Sequence, residues 1–264
     1  NRSESSRPTA VMPTAWPYAR AMHVDVMLTP KPLQQMGAAA RQIEHAGFDG
    51  ILFTEAGRTA YLSAAAAAIA APALELSTGV AVAFPRSPMV TAQSAWELHE
   101  ATEGKFRLGL GTQVRTHVMR RYGTDFDPPG PRIRDYIQAV KACFAGFRGE
   151  ALDHHGPYYE LTWLNRQWSP GPIGFDDPKV DVAAVNPWML RMAGEVADGV
   201  LLNYLPASHV AWSVEQVRAG GNAEIYAYVH AGVGDRDQAL DKARRDLFSY
   251  AVVDAYAANF ARAG

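Results

Sequence analysis

Short apolar runs of strand length alternate with stretches of helical periodicity along most of the chain, and this rhythm limits the folds open to it. Residues 23–28, 50–54, 74–83, 106–110, 181–185, the run beginning at Gly199, and 224–229 read as strands. Between them lie helical patterns. Leu33, Met36, Ala40 and Ile43 recur at helical spacing, with Gly47 at the position of a C′ glycine. Residues 61–71 form an alanine-rich helix stopped by Pro72, and Ser87-Pro88 supply an N-cap and first helical residue for the next. Further helices are expected over 132–147, after Pro206, and over 235–251, with 252–264 helical in composition. Continuously apolar strands separated by amphipathic helices imply parallel strands covered by helices. An open doubly wound sheet and a closed TIM (β/α)8 barrel both fit. The barrel needs an eighth strand, and none is identifiable in this sequence.

After Gly111 the rhythm slackens. Residues 114–122 predict a short extra helix, and 153–168, rich in aromatics, His and Gly, predict a hairpin or irregular excursion. Trp163, Trp168, Tyr158 and Tyr159 there suit a lid or a satellite apolar cluster. Residues 1–21 are polar and proline-punctuated and read as an irregular extension, leaving 22–264 as a single domain. The extension lacks the apolar centre of a signal peptide. No apolar run reaches the roughly 18 residues of a membrane span. The net charge of −2 carries no long basic or acidic block, which argues against nucleic acid or a membrane surface as the main partner. Cys143 is the single cysteine, so no intrachain disulfide forms, as suits a cytoplasmic protein.

Several positions at the carboxyl ends of the strands carry chemistry. Asn186-Pro187 starts a helix directly after a strand, which leaves backbone N–H groups and partial positive charge free for an anion. The same pair equally suits a well-capped structural helix. Gly79, within Thr78-Gly79-Val80, marks a bulge, a close backbone approach or a plain twist. Glu55 ends the second strand, where a carboxylate reads as a catalytic base, as an orienting group, or as a solvated loop residue. Gly109 and Gly111 allow close approach of a planar ring, and Thr112 and Gln113 can bond its edge. Arg115, His117, Arg120 and Arg121 form a basic cluster or a solvated face, with His117 the best-placed histidine for substrate. Asn203, Tyr204 and His230 end later strands. No HExxH, GxSxG or GxGxxG motif occurs, and His154-His155 point apart in extended chain, so no metal site is expected.

Four segments, "AGFDGILFTEAG", "LSTGVAVAFPRSPMVTAQSAWELHEATEGKFRLGLGTQ", "GTDFDPPGPRIRDYIQAVKA" and "VAAVNPWMLRMAGEVADGVLLNYLP", resemble the luciferase-like monooxygenase superfamily. The combination also resembles its actinobacterial subgroup of F420-dependent oxidoreductases. The resemblance implies a (β/α)8 barrel with an excursion after the fourth strand-helix unit. Its members continue through another strand and helix, so a chain ending short of the eighth strand is expected. It implies hydride transfer between coenzyme F420 and a small organic substrate. The alternatives are an FMN-dependent monooxygenase and a non-catalytic flavin-binding barrel. It places a cis-peptide bulge at Gly79-Val80 against the ring and the cofactor's phosphate near Ala184, Val185 and Asn186. A homodimer is implied as well.

Overall fold

The computed structural model describes residues 22–264; the extension expected over 1–21 lies outside the described residues. The elements follow in order as β1 (Asp25–Leu28), α1 (Leu33–His45), β2 (Gly50–Phe53), α2 (Ala60–Ala70), β3 (Glu75–Thr78), β4 (Ala81–Val82), α3 (Pro88–Ala101), β5 (Phe106–Gly111) and α4 (Pro129–Phe147). After a small hairpin, β6 (His154–His155) with β7 (Glu160–Leu161), come β8 (Lys179–Ala183), α5 (Pro187–Val196), β9 (Gly199–Leu202), α6 (Ala207–Arg218), β10 (Glu224–Ala227), α7 (Arg236–Ala251) and α8 (Asp254–Ala263).

The main sheet is parallel, in the order β1-β2-β3-β5-β8-β9-β10, with β4 continuing the β3 position against β5. It curls into a half-barrel of the TIM type. Among the described residues β1 and β10 do not pair, so the ring is open there, in line with the missing eighth strand.

Strand alternation sorts the side chains. Ile51, Phe53, Leu76, Phe106, Leu108, Leu110, Val180, Val182, Val200 and Leu202 join the apolar core with Met36, Ala64, Trp96, Ile137, Phe144 and Leu190 of the helices. The intervening positions line the lumen and are mostly small or polar, as at Gly50, Ser77, Arg107, Gly109, Asp181 and Gly199, with Leu52 and Leu201 the large apolar ones. The floor of the lumen is ionic: Arg107 forks onto Asp181 at 2.9 and 2.7 Å and reaches Glu224 at 3.0 Å. Burial pushes the Asp181 carboxyl above the usual carboxylate range, against the pull of Arg107.

Local signals set several boundaries as the sequence predicts. Gly47 follows α1 with φ 83°, and Ser87 caps α3 by accepting from the Val90 amide at 3.2 Å. Asp235 caps α7 the same way, at 2.9 Å from the Gln238 amide. Other boundaries move. The strand expected over 74–83 breaks into β3 and β4, and the strand expected over 181–185 is β8, ending at Ala183. The short extra helix is a π-helical turn, His117–Arg121. The excursion is pinned by the buried Asp135 of α4, whose carboxylate meets His154 Nε2 at 2.8 Å and accepts from the Tyr158 and Tyr159 amides at 2.7 and 2.9 Å.

Candidate functional site

The break between β3 and β4 forms one wall of the open end of the half-barrel. Ser77 pairs with Arg107 and Ala81 with Leu110, so Thr78, Gly79 and Val80 face only Leu108 and Gly109. That surplus residue is a bulge. The Thr78 hydroxyl bridges the break, donating to the Gly109 carbonyl at 2.8 Å and accepting from the Gly109 amide at 2.9 Å. It thereby replaces the lost ladder bonds with side-chain ones. The Gly79–Val80 peptide is cis, as the resemblance implies. A side chain at Gly79 would overlap Leu52 and the Tyr228 hydroxyl, and one at Gly111 would press on Val80. Thr78, Gly79, Val80, Gly109 and Gly111 are therefore one assembly.

Glu55 sits beside this wall, but both its oxygens are engaged. The carboxylate side chain is 5% exposed and accepts from the Val82 amide at 2.7 Å. It also receives the Arg86 guanidinium at 2.9 and 2.5 Å, and Arg86 donates in turn to the Val82 carbonyl at 3.0 Å. Burial pulls the Arg86 pKa down, yet its bonds to Glu55 outweigh this and hold it above the ordinary value. Both backbone groups of Val82 are thus held by one ion pair, and the geometry is that of a clamp on β4 rather than of a free base.

Thr112 and Gln113 spend their side chains locally. The Thr112 hydroxyl donates to the Gln113 carbonyl at 3.1 Å, and Gln113 Oε1 accepts from the Val114 amide at 2.9 Å. Gln113 has φ 58°, a left-handed turn residue that directs the chain off the barrel rim. His117 is exposed on the π-helical turn. In the basic cluster, Arg115 is paired with Asp127 and stacks on Phe126, while Arg120 and Arg121 are exposed. A cleft of about 410 Å³ lies there, lined by Met119, Phe126, Asp127, Arg132 and Tyr158 among others.

Ala184, Val185 and Asn186 form the turn from β8 into α5. The expected cap is absent: the Asn186 side chain accepts nothing from α5. Its Nδ2 donates instead to the Ala255 carbonyl of α8 at 3.3 Å, and its Oδ1 meets Arg262. The first turn of α5 therefore keeps its free amides. Asn203, Tyr204 and His230 meet at the rim, His230 Nε2 lying 3.2 Å from Asn203 Oδ1 and its ring stacking on Tyr204 at 4.2 Å. Burial pushes the Tyr204 phenol up to about 12.

Two functional candidates escape the sequence reading. Arg86 needed its partner, which lies in another strand-helix unit. Tyr228 carries a detectable signal, since it stands two residues before His230 and so on the same side of an extended strand. Its hydroxyl is buried with no hydrogen-bond partner beside Gly79, and burial pushes the phenol well above its ordinary value.

His23, Asp25 and Glu75 also converge, with ligand atoms within 4.8 Å of one another. They sit at the amino ends of the strands, away from this assembly, and the Arg107 charge acts on both carboxyls.

A parallel half-barrel with a bulged third strand and an uncapped helix start at the rim defines a scaffold of the TIM class. Residues 17–264 match the sequence model of luciferase-like monooxygenases, and the chain belongs to that family. Its members are F420- or flavin-dependent oxidoreductases and monooxygenases. The uncharacterized protein Rv1360 of Mycobacterium tuberculosis is 36% identical over 184 residues, 69% of this chain and 54% of the relative. The chain thus spans about half the length of the mycobacterial relatives it matches. Among solved structures, the coenzyme F420-dependent tetrahydromethanopterin reductase from Methanopyrus kandleri shares the fold with a TM-score of 0.68 at 19% identity, over 83% of this chain and 69% of that one. Monooxygenase RslO1 from Streptomyces bottropensis gives 0.70 at 20% identity, over 92% and 82%. No helix among the described residues is long and apolar enough to cross a membrane.

Proposed function

We propose that the chain binds coenzyme F420 at the carboxyl end of the half-barrel and serves hydride transfer to or from a small organic substrate. The observation that carries this reading is the buried, unpartnered Tyr228 hydroxyl beside the Gly79 bulge. A polar group buried without a partner is costly, and here it lies against the Gly79 bulge beside Leu52. The F420-dependent reductase with the same fold supports the choice.

In this reading Thr78, Gly79 and Val80 form the surface on which the ring rests, and Tyr228 donates to the ring's polar edge. Gly111, Thr112 and Gln113 border the ring on the β5 side. The free amides at Val185 and Asn186 and in the first turn of α5 receive the phosphate, beside Ala184, whose own amide is held by the Leu201 carbonyl. Bound F420 supplies the hydride chemistry at its central ring. Substrate enters from the opposite face, with His117 on that side. Glu55 and Arg86 hold β4, and through it the ring surface, in place.

One observation favours a second reading, binding of FMN by a flavin-dependent monooxygenase. The acidic tail of F420 calls for cationic groups outside the mouth, and Asp127 neutralises Arg115 there. The deciding experiment incubates purified protein with F420 and with FMN, desalts it, and records the spectrum of what is retained. Retained F420 is expected. Tighter retention of FMN reverses the order of the two readings, and retention of neither refutes both.

A further inference from the structure

We propose that His209, Asn259 and Arg262, set over the starts of α5 and α6, complete a phosphate-binding subsite closed from above by α8. The proposal rests on the cofactor reading above and deepens it, assigning three residues to the phosphate that FMN and F420 both carry.

The starting point is how α8 is seated. Asn186 donates to the Ala255 carbonyl, and Arg262 contacts Asn186 Oδ1 and donates to the Val185 carbonyl at 3.4 Å. The Arg262 guanidinium also lies 5.7 Å over the Trp212 ring of α6. Ala255, Asn259 and Arg262 share one face of α8 by helical spacing. That face covers the turn from β8 into α5.

Two polar side chains at this place are buried and unpaired. Asn259 is 0% exposed, and neither its amide nitrogen nor its oxygen has a hydrogen-bond partner. His209, in the first turn of α6, is 7% exposed, and its Nε2 is buried without a partner. Its ring stacks on Trp212 at 4.5 Å, and Trp212 is the same ring that carries Arg262. Leaving such groups unpaired is unfavourable unless something else bonds to them.

What they offer suits an anion. Arg262 carries fixed positive charge, Asn259 offers two N–H bonds, and His209 Nε2 can donate. Neither α5 nor α6 has an acidic residue in its first turn, and neither has a side-chain cap on its leading amides. Two helix starts, an amide, an imidazole and a guanidinium thus converge where β8 and β9 end. A phosphate takes its bonds from such a set of donors.

The test separates the phosphate from the ring. Fluorescence titration compares FMN with riboflavin, and F420 with its unphosphorylated deazaflavin precursor, in wild type, Arg262→Ala, Arg262→Lys and Asn259→Leu. Each charge-assisted bond lost should weaken the phosphorylated ligand about tenfold. Arg262→Ala and Asn259→Leu should erase the preference for the phosphorylated partner while leaving affinity for the unphosphorylated one, and Arg262→Lys should restore part of it. An unchanged preference in Arg262→Ala overturns the subsite, and because Arg262 is exposed this variant folds independently of the Asn259 result. A second measurement needs no ring. Inorganic phosphate, against chloride at equal ionic strength, should raise the melting temperature of wild type and not of Arg262→Ala. If no flavin or deazaflavin binds but this difference holds, the cofactor reading falls and the subsite stands. If wild type binds the ring compounds without preference for phosphate, the subsite falls and the cofactor reading stands. If neither rings nor phosphate bind, both fall.

Discussion

Replacing Glu55 by alanine removes the carboxylate that holds Arg86 and the Val82 amide together. Breaking a buried ion pair from one side typically costs about 3–5 kcal/mol, because the surviving charge stays buried and unpaired. Here the Arg86 side chain is 22% exposed and can recover some water, and it keeps its bond to the Val82 carbonyl and its place over Tyr61. The expected loss is therefore about 2–3 kcal/mol, at or just below the low end of that range. In a domain of this size that lowers the melting temperature by about 5–10 °C. The assay is a cycle of urea denaturations on wild type, Glu55→Ala, Arg86→Ala and the double variant. With both charges removed no unpaired ion remains, so the double variant should be more stable than the sum of the singles by about 1.5 kcal/mol or more. Additivity of the two singles within about 0.5 kcal/mol would refute the clamp. Preserved cofactor affinity in Glu55→Ala with lost turnover would return Glu55 to the role of a base.

Gly79→Ile should abolish cofactor retention, because the new side chain must displace Leu52 and the Tyr228 hydroxyl at the ring surface; retained affinity measured by the same titration would contradict the assignment of that surface. His99 is buried, with Nδ1 2.9 Å from the Phe106 carbonyl, and burial holds its pKa below the ordinary 6.5. The unfolded chain then binds more protons than the folded one just below pH 6.5, so stability should fall as pH drops through that value. The fall in melting temperature between neutral and mildly acidic buffer should shrink in His99→Gln, and an identical slope would show that His99 does not contribute.

Much of the frame is legible in the order of residues. An apolar strand followed by an amphipathic helix is a local pattern, and so are the caps at Ser87 and Asp235 and the glycine after α1, because each depends on neighbours a few residues away. The bulge is half legible: Gly79 marks the place, but whether the strand stays continuous depends on β5, whose Gly109 exchanges bonds with Thr78 across 31 residues. Asn186 shows the limit of local reasoning. Its position predicts a cap, and the arrival of α8 from the far end of the chain takes its side chain elsewhere.

The sequence by itself determined that parallel strands alternate with covering helices, and where the strands end in glycine or polar residues, since periodicity and capping act over a single turn or pleat. Only the tertiary structure decided that Glu55 meets Arg86, that Tyr228 stands unpaired beside Gly79, and that His209, Asn259 and Arg262 gather at one rim. Those meetings join groups far apart along the chain. Curling of the sheet and packing of the helices set their distances, and no local propensity encodes them.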